Sequence, residues 1–380
     1  MRITVAALHP LRLEMVNPLR TAKGTYAARE GFVVRLEDEE GRSGRGEAMP
    51  LREFGTESWG ECEQALRSLL SRLRGQEVPE NLEGLTAFLT PLPPGEGRGE
   101  GAGHRGLNGE SWGEGPRAKH PAARHAVEEA LLDLLSQRRG LSLCRLLSVG
   151  AREDVQVNAL LGAQAPVELA EEARRAIAEG YTTLKIKVAG RPVAEDEARL
   201  SAVRKAVGPE VRLRVDANGA WRESEAGPAL DALGKYQLEL CEQPVAAEDY
   251  EALSRLRERA PCPLAADESL ALPGAVNALL TPPTSVDVLV LKPMVLGGLL
   301  PTLALAREAA RKGMDAYVTS SLDGVIARAG AAHLAAVLPL ETYASGLGVG
   351  HLFKDESEDH PFRPVRGRIH LPRTPGLGVH

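Results

Sequence analysis

Five charged residues close five short apolar runs at a nearly even interval. Lys187 stands at the end of Thr183–Val188, Asp216 ends Val211–Asp216 and Glu242 ends Leu238–Glu242, while Asp267 and Lys292 close Leu264–Asp267 and Val286–Lys292. Successive members are 29, 26, 25 and 25 residues apart. Ala-, Glu- and Arg-rich stretches with helical spacing fill the gaps, for example Pro166–Glu179 and Pro192–Val207. One strand, one helix and two connections account for each step, so every charge marks one β/α unit. Adding Val155–Leu161 before them, and Ala316–Ser320 and Thr342–Ser345 after, gives eight predicted strands. The expected fold class is α/β: a (β/α)8, TIM-like barrel over residues 151–350.

Side chains alternate along a strand, so residues two apart share a face. Lys185 joins Lys187, Arg214 and Asn218 join Asp216, Leu240 joins Glu242, and Val288 and Val290 join Lys292. Cys241 falls on the opposite face, as a packing residue. Asp216, Glu242 and Asp267 are thus three neighbouring carboxylates with lysines on either side, all on the face where barrel enzymes carry their sites. Taken singly, each charge reads as an ion pair. Five in phase would be costly to bury without a function.

Three adjacent carboxylates repel unless a cation neutralises them, and an all-oxygen set favours Mg²⁺, with Mn²⁺ as a substitute. The Lys-x-Lys pair crowds two ammonium groups, which with partial burial is expected to lower a pKa toward the range of a general base. Lys292 faces that pair across the metal. A base, a Lewis acid and a second cation suit removal of a proton next to a carboxylate, an established pairing for enediolate chemistry. The expected partner is a small-molecule carboxylate.

Residues 1–150 read differently, as an α+β domain. Segments such as Gly31–Leu36 are strand-like and end in the polar turn Asp38–Arg42, while 59–74 and 121–148 are helical with a stop at Gly140. Residues 90–116 are so rich in Gly, Pro and charge that they cannot bury a core and are expected to form a surface insertion. Within them Gly97–Ala102 matches a dinucleotide-binding pattern only superficially, because no strand leads in and no helix follows. His104, His120 and His125 around the insertion are expected at the surface. Gly346, Gly348 and Gly350 are read as a turn that leaves room for a substrate tail. The segment 351–380 is expected to return and pack on the N-terminal domain.

Charge and cysteine usage exclude other classes. With 46 basic and 52 acidic residues the net charge is −6, without the basic footprint of a nucleic-acid binder. Four dispersed cysteines make neither a zinc ribbon nor a disulfide framework. No signal peptide or membrane span is expected, which places the chain in the cytoplasm.

Lys185-Ile186-Lys187, Val215-Asp216-Ala217-Asn218, Glu242-Gln243-Pro244, Asp267-Glu268-Ser269 and Leu291-Lys292-Pro293 together resemble the enolase superfamily, muconate lactonizing subgroup. Within it the chain is most similar to the o-succinylbenzoate synthase family, through Gly44–Leu51, Phe54–Ser58, Gly297–Leu299 and Thr319–Asp323. The resemblance implies syn dehydration of 2-succinyl-6-hydroxy-2,4-cyclohexadiene-1-carboxylate to 2-succinylbenzoate, in menaquinone biosynthesis. It implies Lys187 as base and as acid for the departing hydroxyl, Lys292 as enediolate stabiliser, and Asp216, Glu242 and Asp267 as Mg²⁺ ligands. Lys185 would tune Lys187; Arg214, Asn218, Glu268, Ser320 and Ser321 would be supporting or substrate residues. Asn17–Gly24 and Leu51–Gly55 match loops of a capping domain that close over substrate. Insertion 90–116, Met294–Leu296 and Asp323 depart from the family strings. An N-acylamino acid racemase or dipeptide epimerase, a muconate-type cycloisomerase, and a catalytically dead binding barrel stay open. Tyr343-Ala344-Ser345 lacks the Asp-x-Asp of dipeptide epimerases.

Overall fold

The computed structural model describes residues 1–21, 24–89, 119–354, 356–357 and 360–379. The expectations for insertion 90–116, for His104 and for the tip of the Asn17–Gly24 loop lie outside these residues. Alternation builds the first layer. β1 (Ile3–Thr21), β2 (Gly24–Asp38) and β3 (Ser43–Ala48) form an antiparallel sheet in chain order. Along β2, Phe32, Val34 and Leu36 are buried at two-residue spacing and face a helical layer.

That layer starts with α1 (Trp59–Leu73), whose Ser58–Glu61 capping box satisfies its first amides and whose buried stripe is Cys62, Leu66, Leu70 and Leu73. After α2 (Leu82–Leu89) comes α3 (Pro121–Arg138), which is buried along almost its whole length because it lies between the sheet and the barrel. Gly140, at φ +65°, turns the chain out of α3 before α4 (Leu143–Leu147).

The repeating units follow. β4 (Asp154–Gln156) precedes β5 (Ala159–Leu161), α5 (Pro166–Ala178), β6 (Thr183–Lys187), α6 (Val193–Val207), β7 (Arg212–Asp216), α7 (Glu223–Gly234) and β8 (Leu238–Glu242). The chain continues through α8 (Tyr250–Arg257), β9 (Leu264–Ala266), α9 (Ala275–Leu280), β10 (Val288–Leu291), α10 (Pro293–Leu296), α11 (Leu299–Arg311), β11 (Asp315–Val318), α12 (Val325–Ala335) and β12 (Arg368–His370). Strands β5 to β11 pair in parallel, in sequence order, as a seven-stranded curled sheet. Leu240, Ala265, Val288, Val290 and Tyr317 fill its interior, while Ile186, Val215 and Cys241 pack outward against the helices. Cys241 faces away from the interior, as alternation requires.

The eighth strand differs from expectation. Thr342–Ser345 forms no ladder among the described residues; the chain contributes single parallel bridges, Ser345 to Val157 and Gly346 to Thr319. They still close the barrel: Ser345 N–H donates to Gln156 at 2.8 Å, and Gly346 N–H to Val318 at 2.8 Å. Glycine weakens a strand here, and Gly346 is needed because a Cβ would lie 2.3 Å from Thr319 Oγ1. Val155–Leu161 also divides, since β4 pairs antiparallel with β12 and only β5 joins the barrel. The C-terminal residues touch the N-terminal domain at Glu14, where the Lys354 N–H donates at 2.9 Å, and at Asp133, which accepts from Leu377 N–H at 2.8 Å.

Candidate active site

Register decides what the barrel mouth contains. Lys187 pairs with Asp216 and Asp216 with Glu242, so three staves end in charge at one height. Asp267 and Lys292 each follow the last residue of their strands, β9 and β10. Lys185, Lys187, Asp216, Asn218, Glu242, Asp267, Glu268, Lys292 and Ser320 all line one cleft of about 1180 Å³, its open mouth included. Phe54 reaches it from the N-terminal domain, with the Lys292 ammonium 5.5 Å from its ring centroid.

Two of the three lysines sit on carboxylates. Lys185 Nζ donates to Glu242 Oε1 at 2.7 Å and lies 2.9 Å from Asp216 Oδ2. Lys292 Nζ donates to Asp267 Oδ2 at 2.6 Å. Lys187 Nζ instead donates to the neutral amide oxygen of Asn218, at 3.0 Å. Asn218 is itself held by its Nδ2 donating to Asp216 Oδ2 at 3.3 Å and to Glu268 Oε1 at 3.1 Å. Gln243 sets the position of Asp267: its Oε1 accepts the Asp267 N–H at 3.0 Å and the Ser269 N–H at 3.2 Å.

Burial and charge pull these groups in opposite directions. Burial alone would lower the Lys185 ammonium, but Asp216 and Glu242 outweigh it and hold it well above its ordinary value. The charges nearest Lys185 are carboxylates, so the neighbouring ammonium of the Lys-x-Lys pair does not lower it. Lys292 is likewise raised, burial being overcome by Asp267 and Glu268. Burial and then the Asp216 charge push Glu242 up to about 7. Asp216 is lowered despite its burial, because Lys185 and Lys187 favour its charged form.

Three lysines face four carboxylates, so with every group ionised the mouth carries a formal charge of −1 before any ligand enters. Among the described residues no trio of His, Cys, Asp or Glu is drawn together as a ligand shell, since the carboxylates turn to their lysines. Yet Asp267 Oδ1 and Glu268 Oε2 are buried acceptors with no hydrogen-bond donor among the described residues. Hard oxygen donors in excess, two of them orphaned, fit a divalent cation such as Mg²⁺.

Two of the expected supporting residues do not line the cleft. Arg214 is two residues below Asp216 on β7, which places it about 6.6 Å deeper in the barrel. Its guanidinium pairs with Glu239, donates to the Ala344 carbonyl at 2.7 Å and stacks 4.6 Å from the Tyr317 ring centroid. Ser321 does not line the cleft; its N–H donates to Asp323 at 2.9 Å. His125 is buried, not superficial. It lies on the α3 face pressed against β3, its Nδ1 is 3.1 Å from the Glu47 carbonyl, and burial lowers its pKa to about 4.

Tyr317 was missed, although its hydroxyl donates to Glu242 Oε2 at 2.6 Å. The alternation rule applied to Ala316–Ser320 puts Tyr317 and Thr319 on the interior face. Asn158, with its Oδ1 unpartnered among the described residues, also lines the cleft and carries no sequence signal.

Fold and site together define a class. The family described as "Enolase C-terminal domain-like" matches residues 168–380, and "MenC, N-terminal domain" matches residues 4–86. The chain belongs to the enolase superfamily, and it is a lyase- or isomerase-type enzyme of that superfamily.

Among its relatives, an N-succinyl-L-Arg/Lys racemase of Bacillus cereus is 28% identical over 380 residues, covering 100% of this chain and 95% of that protein. An o-succinylbenzoate synthase of Thermobifida fusca is 39% identical over 227 residues, 59% of this chain and 68% of that protein. A dipeptide epimerase of Enterococcus faecalis V583, solved in complex with Mg and the dipeptide L-Leu-L-Tyr, superposes with a TM-score of 0.82 at 27% identity, covering 100% of this chain and 99% of that one. No helix among the described residues is long and apolar enough to cross a membrane.

Proposed function

We propose that this chain is an o-succinylbenzoate synthase, with Lys187 as its base. The observation that carries the reading is the pairing of the three lysines. The Lys187 ammonium is hydrogen-bonded to an amide where Lys185 and Lys292 are hydrogen-bonded to carboxylates, so Lys187 can turn to a substrate without breaking such a bond. The matched N-terminal family and the Thermobifida fusca relative support the choice of reaction.

Asp216, Glu242 and Asp267 would hold Mg²⁺, and Glu268 lies beside them. The cation supplies Lewis-acid polarisation of the substrate carboxylate when bound. It would turn the excess negative charge of the mouth into an excess positive one, which the substrate carboxylate then balances. Lys187 Nζ removes the proton α to that carboxylate, and the C–H electron pair moves into the carboxylate to give an enediolate. Lys292, held by Asp267, faces the developing charge. Collapse of the enediolate expels the ring hydroxyl, which takes the proton from Lys187 and leaves as water; the ring becomes aromatic. One base serves both steps because proton and hydroxyl leave from one face. Asn218 orients Lys187, and Lys185 holds Asp216 and Glu242 in register.

Racemisation of N-succinyl amino acids is the second reading, favoured by one geometric fact. Lys187 ends the second stave of the barrel and Lys292 follows the sixth, so the two lysines lie across the barrel from each other. The full-length similarity to the Bacillus cereus racemase agrees with it. Purified protein with Mg²⁺ should be assayed with the cyclohexadiene carboxylate and with N-succinyl amino acids. Dehydration of the former supports the synthase; efficient racemisation without dehydration replaces it with the racemase.

A further inference from the structure

We propose that Arg29 and Glu47 of the N-terminal domain are positioning residues that hold the loop Ser320–Gly324, and with it the pocket wall made by Leu322. The proposal rests on reading the cleft as the active site. The loop follows β11 and presents Ser320 and Leu322 to the cleft. Leu322 has φ +62°, a left-handed conformation that a branched residue rarely adopts without outside support. Inside the loop, the Asp323 carboxylate accepts from Ser321 N–H at 2.9 Å and from Ser320 Oγ at 3.3 Å.

The remaining restraints come from the N-terminal domain. Arg29, buried on β2, donates through Nε to the Leu322 carbonyl at 3.2 Å. Its Nη2 and Nη1 donate to the carbonyls of Met49 at 2.7 Å and Pro50 at 3.4 Å. One planar guanidinium thereby ties the Leu322 peptide to the segment that leads into Phe54, so two walls of the cleft share one clamp.

Glu47, fully buried on β3, accepts the Gly324 N–H on Oε1 at 2.5 Å. Its Oε2 accepts from Ile326 N–H at 3.2 Å and Ala327 N–H at 3.4 Å, the first turn of α12. Gly324 has φ −75°, open to any residue, yet a Cβ there would lie 2.7 and 2.9 Å from the Glu47 oxygens. Leu13 Cδ1 would lie 2.9 Å away as well, so the glycine leaves room for both the Glu47 carboxylate and the Leu13 side chain of the N-terminal domain. Neither Arg29 nor Glu47 lines the cleft, and no hydrogen bond or ion pair of theirs reaches Lys187, Lys292 or the mouth carboxylates among the described residues.

If the clamp opens, the Leu322 peptide can relax to negative φ and swing its side chain off the pocket, while the charged staves stay in place. Substrate fit should suffer and proton transfer should not. Arg29→Met and Gly324→Ala, made in the full chain and assayed with Mg²⁺ on whichever substrate the wild type turns over, should each raise KM about ten-fold and leave kcat within about three-fold. Amide hydrogen exchange at residues 321–324 should be faster in both, and Arg29→Lys should recover part of the loss because an ammonium can still bond one carbonyl.

An unchanged KM with unchanged exchange, or a fall in kcat at constant KM, would overturn the proposal. So would lower thermal stability with KM and exchange unmoved. Should Arg29→Met lose its near-ultraviolet circular dichroism, Gly324→Ala decides alone. Should the wild type turn over neither substrate class, the functional reading fails by itself; exchange at 321–324 then decides the clamp, faster supporting it and unchanged overturning it.

Discussion

Two regions of this molecule bury carboxylates, and they satisfy them differently. At the barrel mouth Asp216, Glu242, Asp267 and Glu268 are met mainly by side chains, the lysines, the Asn218 amide and the Tyr317 hydroxyl, with one backbone N–H, that of Asn218, on Asp216; two of their oxygens have no donor among the described residues. Along the seam between the N-terminal domain and the barrel, Glu57, Glu128, Glu129 and Asp133 are buried as Asp216, Glu242 and Asp267 are, but backbone amides meet them. Glu57 accepts from Ala122 and Ala123 N–H at 3.1 and 2.8 Å, and Glu128 from Leu300 N–H at 2.8 Å. Glu129 accepts from Glu47 N–H at 3.0 Å, and Asp133 from Arg45 N–H at 3.0 Å. The exception is Glu129 Oε1, which has no partner and occupies the place a Cβ on Gly330 would fill; burial holds this acid well above its usual range. A carboxylate met by backbone donors has a finished shell and holds architecture together. At the mouth, Asp267 and Glu268 each keep one oxygen with no donor among the described residues, to spare for a ligand.

Breaking the mouth should cost activity and little stability. Lys187→Ala is expected to lower turnover by roughly 10²–10⁴-fold or more and to abolish exchange of the substrate α-proton with deuterated solvent, at nearly unchanged thermal stability. Lys292→Arg keeps the charge but displaces it, and should retain measurable dehydration. A folded Lys187→Ala protein that still exchanged the α-proton would remove Lys187 from its role.

The carboxylates should report through the cation. Asp216→Asn or Glu242→Gln should weaken Mg²⁺ binding, measured by calorimetry, by roughly 10²-fold or more, and chelation of the wild type should stop turnover. Near-normal activity in chelator-treated protein would overturn the metal assignment.

The seam should behave in the opposite sense. Glu128→Ala strands the Leu300 amide and Arg124, whose Nη1 lies 3.1 Å from Glu128, and should cost about 3 kcal/mol in denaturant unfolding. Its kcat and KM, corrected for folded fraction, should stay within about two-fold; a larger change would erase the contrast between the regions.

Smaller effects come from pH. His333 accepts the Cys144 N–H on Nδ1 at 3.2 Å and has Nε2 3.0 Å from the Leu377 carbonyl, a pattern only the neutral ring fits, and burial lowers its pKa from 6.5 to about 4. The folded state binds this proton less readily than the unfolded one, so its stabilisation is present above pH 6.5 and is lost as pH falls toward 4. His333→Gln should flatten the fall in unfolding free energy between pH 7 and 4 by about 2–3 kcal/mol. Glu57→Gln keeps one acceptor for the Ala122 and Ala123 amides of α3 and loses the other, and should cost only about 1 kcal/mol.

The chain's own order determined much of this. Charges that recur at one β/α interval can reach one height only if the strands lie side by side in sequence order, and β6 to β10 do so. Local rules also marked α1 through Ser58 and Glu61, and sent Cys241 outward by alternation. Depth and closure were beyond such rules. Alternation assigns Arg214 and Asp216 to one face but not to one layer, so Arg214 fell below the cleft, stacked on a tyrosine 103 positions along the chain. Thr342–Ser345 reads as a full eighth strand, yet only single bridges, Ser345 to Val157 and Gly346 to Thr319, close the barrel. His125 beside a polar insertion reads as superficial until α3 is seen between two domains. Spacing along the chain determined which residues share a face, because pleat and repeat are local properties. Only the tertiary structure decided which lysine meets a carboxylate and which meets an amide, because that depends on side chains from staves 25 to 57 residues apart packing at one point.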